Sequence, residues 1–113
     1  MDLTPPRFEE LVEEALEGLP AWIRERLENV EIIVEERSDR RGLLGLYEGI
    51  PLTERGMNYT WVLPDRITLF QRNIEREART EDNVPRVVAD TVIHEIAHFF
   101  GISEDRLREL GRD

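Results

Sequence analysis

The chain contains two histidines, His94 and His98, and a glutamate, Glu95, directly follows the first of them. The histidines are four residues apart, so on a helix their imidazoles lie on one face, about one turn apart, close enough to bind one ion. Neutral imidazole is a common zinc ligand, and catalytic zinc usually keeps three protein ligands and one open position for water. This spacing is typical of the helical zinc site of metallopeptidases, where the glutamate is the general base.

The chemistry expected of such a site is hydrolysis. Zinc lowers the pKa of water toward roughly 7 and polarises a carbonyl group, and a nearby carboxylate takes a proton from the attacking water. We therefore predict that His94 and His98 bind Zn²⁺ and that Glu95 is the catalytic base for cleavage of peptide bonds. The competing explanation is a core helix that carries these three residues by chance, and the rarity of histidine in the chain argues against it.

The third zinc ligand is expected shortly after the second histidine. Gly101 allows the chain to reverse, and Glu104 has the offset at which the extended motif of metzincins places a third histidine. A carboxylate oxygen is an acceptable zinc ligand. We predict Glu104 as this ligand, with Asp105 as the alternative. Both also follow Ser103, a suitable helix cap, and the helix dipole alone would favour acidic residues there.

The motif needs a well-positioned helix, and its surroundings predict one. Apolar residues recur at three- and four-residue spacing from Val84 to Phe100, which indicates a largely buried helix. Asn83 is predicted to cap its start, Pro85 fits the first turn, and Gly101 fits a left-handed end. Asp90 lies one turn before His94 and is a candidate to orient that histidine, although a solvated carboxylate is equally consistent with the sequence.

The remaining elements are read from periodicity and from proline and glycine. Helical spacing follows Pro5 and again Pro20, whereas β-branched and apolar runs indicate strands. The predicted strands are Val30 to Glu35, Leu43 to Tyr47, Tyr59 to Leu63 and Arg66 to Phe70, and Gln71 to Arg79 is predicted to be helical. The 113 residues are expected to form a single domain, 1–113.

Charge and composition limit the classes of partner that the protein is expected to bind. A net charge of −10 disfavours nucleic acid and anionic membranes and would suit a basic peptide. The chain has no cysteine, and it contains no apolar run near the roughly 18 residues of a membrane helix. No secretory signal is evident. We therefore expect a cytoplasmic protein that acts on a peptide or protein substrate.

Three stretches together resemble the small bacterial zincin-like metallopeptidase family, whose members are sometimes described as minimal zincins. They are Leu44 to Thr53, Pro64 to Phe70 and the block His94 to Asp105, and the resemblance covers about residues 5 to 111. It implies an α+β fold with a small mixed β-sheet beside the zinc helix. It also implies His94 and His98 as ligands, Glu95 as base and an acidic third ligand. Family members usually show aspartate first in the acidic pair, whereas Glu104 comes first here.

The resemblance also suggests where a substrate lies. Zincins generally bind an extended peptide along an edge strand, and either Leu43 to Leu52 or Arg66 to Phe70 is a candidate for that edge. Tyr47 and Tyr59 are candidate phenols for stabilising an oxyanion. The simpler alternative for each is an aromatic ring that packs beside a strand.

A second class of function stays open at this level. The chain would then be a metal-binding regulatory or protein-interaction module with little or no hydrolytic activity. The intact Glu95 favours the peptidase, because a structural zinc needs no base and usually has four protein ligands. An RNA-processing zinc site is disfavoured, because that type of site usually has three histidines and the chain is strongly acidic.

Overall fold

The structure, a computed structural model, describes residues 1–49 and 64–101, and within these ranges it shows four α-helices and three β-strands. The helices are α1 (Pro5–Glu17), α2 (Ala21–Arg26), α3 (Gln71–Ala78) and α4 (Val84–Phe99), and the strands are β1 (Val30–Glu35), β2 (Gly45–Glu48) and β3 (Asp65–Phe70). Short 3-10 turns occupy Leu27–Asn29 and Glu81–Asn83. The predicted α+β class is confirmed. The strand predicted at Tyr59 to Leu63 lies outside the described residues.

Helix α1 covers one side of α4. Its first turn is capped by Thr4, whose Oγ1 accepts the N–H of Arg7 at 3.3 Å, and Pro5 occupies a position where no N–H is needed. Residues at helical spacing are buried, namely Phe8, Leu11, Val12 and Ala15. Arg7 also pairs with Glu81 at 2.9 Å, which ties α1 to the turn before α4. The helix predicted after Pro5 is therefore confirmed, and it packs against the core.

The sheet has the strand order β1-β3-β2. Strands β1 and β3 are parallel, with Ile32 opposite Ile67, and β2 is antiparallel to β3, with Tyr47 opposite Ile67. Four consecutive residues of β3, from Ile67 to Phe70, are buried, as is usual for a central strand covered on both faces. The prediction that Arg66 to Phe70 forms a substrate-binding edge is therefore wrong. Of the strands in the described ranges, β1 and β2 are the edges.

The core lies between the sheet and the helices. Its fully buried side chains come mainly from β3 and α4, with Phe8 of α1, Ile23 of α2 and Ile74 of α3 completing it. Helix α3 is joined to its surroundings by the Arg72 N–H, which donates to the Glu36 carbonyl at 2.8 Å, and by Gln71 Nε2, which donates to the Leu3 carbonyl at 2.9 Å. Within the described ranges, no helix is long and apolar enough to cross a membrane.

Candidate metal centre

Helix α4 buries most of its surface and exposes the side that carries the motif. Its apolar side chains at three- and four-residue spacing are buried, whereas His94 and His98 are exposed and Glu95 is partly buried. Gly101 follows the helix with φ +70°, the left-handed conformation that glycine adopts without strain. The predicted helix is thus confirmed, and His94 and His98 lie on one accessible face.

The start of α4 differs in one detail from the prediction. Asn83 occupies the capping position but makes no capping hydrogen bond, because its backbone is already helical, with φ −88° and ψ −12°. Its Nδ2 donates instead to the Ala78 carbonyl at 3.1 Å. The side chain therefore joins α3 to α4 across the 3-10 turn.

His94 is oriented by the turn of helix that precedes it. Its Nδ1 lies 2.8 Å from the main-chain carbonyl of Asp90. A carbonyl oxygen only accepts hydrogen bonds, so Nδ1 carries the proton and the lone pair of the neutral ring is on Nε2. Asp90 thus orients the histidine through its backbone carbonyl, whereas the role considered from the sequence was for its carboxylate. Its carboxylate Oδ2 contacts Arg86 at 3.4 Å.

Glu95 is held by the edge of the sheet. Its Oε1 accepts the backbone N–H of Tyr47 at 3.0 Å. The Phe70 N–H donates to the Leu44 carbonyl at 3.0 Å, so even-numbered residues of this segment face β3 with their backbone groups. The Tyr47 N–H consequently points away from β3. Glu95 therefore lies against the outer edge of β2, a contact that was not predicted from the sequence.

Two glycines allow β2 to approach α4 so closely. A Cβ at Gly45 would lie 2.7 Å from Cγ2 of Thr91 and 3.1 Å from the Thr68 carbonyl oxygen. A Cβ at Gly49 would lie 2.6 Å from the ring of Phe99. Glycine in a strand often marks a close approach of another part of the chain. Glycine at positions 45 and 49, two residues on either side of Tyr47, thus indicates in the sequence that this side of the segment packs against a helix.

Tyr47 helps to hold β2 in this position. Its ring stacks on Phe99 with centroids 4.1 Å apart, and its hydroxyl donates to Oδ2 of Asp65 at 2.9 Å. The residue is only 8% exposed. The structure therefore shows Tyr47 as a packed aromatic ring whose hydroxyl is directed at Asp65 of β3. The other candidate phenol, Tyr59, lies outside the described residues.

A groove of about 430 Å³ adjoins His94 and Glu95. The segment Gly42 to Gly45 forms one wall, and the exposed side of α4 forms the other. Further along it lie three charged side chains, Glu77, Arg86 and Asp90. Arg86 pairs with Asp90, so Glu77 and Glu95 leave the groove with an excess of negative charge.

Both residues predicted as the third metal ligand, Glu104 and its alternative Asp105, follow Gly101 and lie outside the described residues. Among residues 1–49 and 64–101, no group of three or more His, Cys, Asp or Glu side chains is arranged to hold a metal ion. The donors that the described part supplies suit zinc all the same. The tautomer of His94 places the ring lone pair on Nε2, and His98 lies one turn away on the same exposed face. Glu104, with Asp105 as alternative, stays a prediction.

Similarity to known proteins identifies the family of this chain. No curated protein matches the chain significantly. Residues 27–112, however, match the model of the zincin-like metallopeptidases. The match runs from before β1 to the end of the chain, so it includes the whole sheet and all of α4. The chain therefore belongs to the zincin-like metallopeptidase family.

Proposed function

We propose that the protein is a zinc-dependent peptidase that hydrolyses peptide bonds with Glu95 as the general base. The observation that carries this proposal is the contact between Glu95 Oε1 and the Tyr47 N–H. It holds the carboxylate beside the outer edge of β2, next to the groove that adjoins His94 and Glu95. The family supports a metallopeptidase in general terms, and the assignment of roles to residues is our proposal.

The metal would be held by His94 through Nε2, by His98, and by Glu104 or Asp105. Zinc, when bound, supplies a Lewis acid that polarises the scissile carbonyl and lowers the pKa of water. The hydrogen bond from His94 Nδ1 to the Asp90 carbonyl fixes the tautomer and the ring orientation that such binding requires.

Glu95 would move the proton. The Tyr47 N–H holds Oε1 in position, and Oε2 has no hydrogen-bond partner among the described residues. Oε2 is then the oxygen that takes a proton from the attacking water and passes it to the leaving nitrogen. A strand and a helix together position the base, so it does not depend on a mobile loop.

The substrate we propose is a peptide or protein with a basic residue near the scissile bond. The groove beside Glu95 is large enough for a long side chain, and its Arg86 is already paired with Asp90. Glu77, which α3 contributes to the lining of the groove, is exposed and forms no ion pair within the described ranges. A cationic side chain would therefore find an unbalanced carboxylate there, whereas an acidic one would be repelled. The cytoplasmic location stays a prediction from the sequence.

The test is cleavage of a mixed peptide library, followed by mass spectrometry, with zinc-loaded wild type and Glu95→Gln in parallel. We expect wild type to cleave and the variant to lose about 10² to 10⁴ in rate, the usual contribution of a general base. The variant should retain its zinc, because Glu95 is not a proposed ligand. Equal cleavage by both proteins would contradict the role of Glu95.

If neither protein cleaves any peptide while one zinc is bound per chain, the result would favour the metal-binding regulatory module instead.

Glu77→Gln tests the substrate preference in the same library. It should lower the share of cleavage sites with Arg or Lys while total cleavage persists, and an unchanged preference would remove the groove from the proposal.

A further inference from the structure

A second pocket, of about 450 Å³, lies at the carboxyl ends of the parallel strands β1 and β3. Arg37 follows the end of β1, and α3 begins directly after β3. Four arginines line it, namely Arg37, Arg72, Arg76 and Arg79, and we call it the arginine pocket. In sheets with parallel strands, the carboxyl ends are the usual place for ligands. The residues that line this pocket are separate from those that line the groove beside Glu95.

The arrangement of the arginines follows from helix geometry. Arg72 and Arg76 are four residues apart on α3 and share one face, and Arg79 follows directly after the last residue of the helix. The Arg72 N–H donates to the Glu36 carbonyl at 2.8 Å, which fixes the start of α3 next to Arg37. Guanidinium groups therefore approach the same space from a helix and from the segment that follows a strand.

The acidic residues that line this pocket, Asp2 and Glu75, both contact the same arginine, Arg72. Arg72 Nη1 lies 2.9 Å from Glu75 Oε1 and 3.6 Å from Asp2. Its pKa is raised, chiefly by the hydrogen bond to Glu75. The other oxygen of Glu75 accepts Gln71 Nε2 at 2.8 Å, so both oxygens of that buried carboxylate are engaged. Arg37, Arg76 and Arg79 form no ion pair within the described ranges.

The chain has 25 acidic and 15 basic residues. Within the described ranges Arg7, Arg72 and Arg86 form ion pairs, and arginines elsewhere, such as Arg24, form none, so the lack of an ion pair is not in itself unusual. What distinguishes Arg37, Arg76 and Arg79 is that they line one pocket, where three arginines without an ion pair make a local region of positive potential. Acidic residues more than about 8 Å away are largely screened at physiological ionic strength.

Arg79 also has an unusual backbone conformation. It ends α3 with φ +71°, and within the described ranges it is the one non-glycine residue with positive φ. Glycine ends helices in this region of φ without cost, whereas a side chain there is strained. Strained backbone tends to persist where a side chain serves a function. The strain thus points to a need for the guanidinium at this position.

We propose that the arginine pocket binds a small molecule that carries two or more phosphate groups. Planar guanidinium groups bind phosphate oxygens in a bidentate manner, and several of them in one concave site favour a multivalent anion. The volume of about 450 Å³ suits a compact ligand better than a folded partner. This site is independent of the proposed peptidase activity.

The test is an NMR titration of the ¹⁵N-labelled, zinc-loaded protein with inorganic pyrophosphate, compared with orthophosphate and sulfate. We expect shifts at Arg37 and along α3, and tighter binding of pyrophosphate than of sulfate by about tenfold or more. Shifts confined to His94 to His98 would mean that pyrophosphate binds only the metal, and would overturn the proposal. Equal affinity for sulfate would mean an adventitious ion only.

Variants make the test specific. Arg76→Gln should weaken pyrophosphate binding about fivefold or more, and Arg24→Gln, an exposed arginine on α2, should leave it unchanged. Arg79→Gly should weaken binding equally while thermal stability is retained or raised, because the strain is relieved. Equal losses in Arg24→Gln and Arg76→Gln would overturn the proposal, as would a glutamate-rich peptide that binds this pocket more tightly than pyrophosphate.

Discussion

At the scale of single residues, spacing alone was enough to propose the reactive side chains, whereas the contacts that support them are known only from the fold. His94, Glu95 and His98 were predicted because an i, i+4 pair must share a helix face. The Tyr47 N–H that holds Glu95 lies 48 residues earlier. No pattern within the motif specifies it, because a backbone amide is present at every non-proline position. The contact exists only because β2 lies against α4.

Tyr47→Phe separates the two roles considered for this tyrosine. Its hydroxyl donates to Asp65, so the variant should lose about 0.5–1.5 kcal/mol of unfolding free energy. Its peptidase rate should fall by less than about threefold, because the backbone N–H that holds Glu95 remains. Urea unfolding and peptide cleavage measure the two effects. A fall of about 10² or more in rate would instead assign the phenol to the oxyanion.

The third ligand is tested by alanine substitution beyond Gly101. We expect Glu104→Ala to weaken zinc binding more than Asp105→Ala does, because Glu104 has the offset of the third ligand in the extended motif. Competition with a chromogenic chelator ranks the two variants, and His94→Ala, which should abolish stoichiometric binding, sets the lower limit. The reverse ranking would move the third ligand to Asp105.

At the scale of elements, periodicity predicted each helix and strand in the described ranges to within about two residues. Strand order was harder, since Arg66 to Phe70 was considered an edge and β3 proved central. The buried run from Ile67 to Phe70 was compatible with a central strand, but strand pairing depends on long-range contacts that a single sequence does not display. Gly45 of β2 and Gly49 directly after it were local signs of the contact with α4 that the sequence analysis did not use.

Gly45→Ala tests the packing of β2 on α4. The new methyl group would lie 2.7 Å from the buried Thr91 and 3.1 Å from a backbone oxygen, and neither can easily move. We expect a loss of about 1–3 kcal/mol in unfolding free energy by urea titration, as for other overpacked sites. Peptidase activity should fall as well, because the strand that holds Glu95 is displaced.

Gly42→Ala is the matched control for this prediction. A Cβ at Gly42 would meet nothing within 4 Å. Its unfolding free energy should stay within about 0.5 kcal/mol of wild type or rise slightly, since alanine restricts the unfolded chain. Equal losses in the two variants would show that the β2–α4 approach is not what constrains Gly45.

At the scale of the whole molecule, the excess of acidic residues is the dominant property. A net charge of −10 on 113 residues implies repulsion that opposes the folded state. The same charge would draw basic peptides toward the protein and lower the local concentration of anions. The arginine pocket is thus a local exception to the general field of the molecule.

Screening this repulsion should stabilise the protein. Between roughly 0.1 M and 1 M NaCl the Debye length falls from about 10 Å to about 3 Å, so distant like charges cease to interact. We expect the melting temperature, followed by circular dichroism, to rise by several degrees. Arg76→Gln should show the same rise if the effect is general. A melting temperature that falls with salt would mean that ion pairs such as Arg7–Glu81 outweigh the repulsion.

The hydrogen bond between Glu95 and Tyr47 has a consequence for how this site tolerates mutation. The donor belongs to the main chain, so nineteen of the twenty amino acids at position 47 would still supply it, and only proline would remove it. A relative could therefore lose the tyrosine ring and still hold the glutamate carboxylate in place. Under the proposed mechanism, divergence of the sequence along β2 would then alter the fit of substrates before it altered the alignment of the carboxylate.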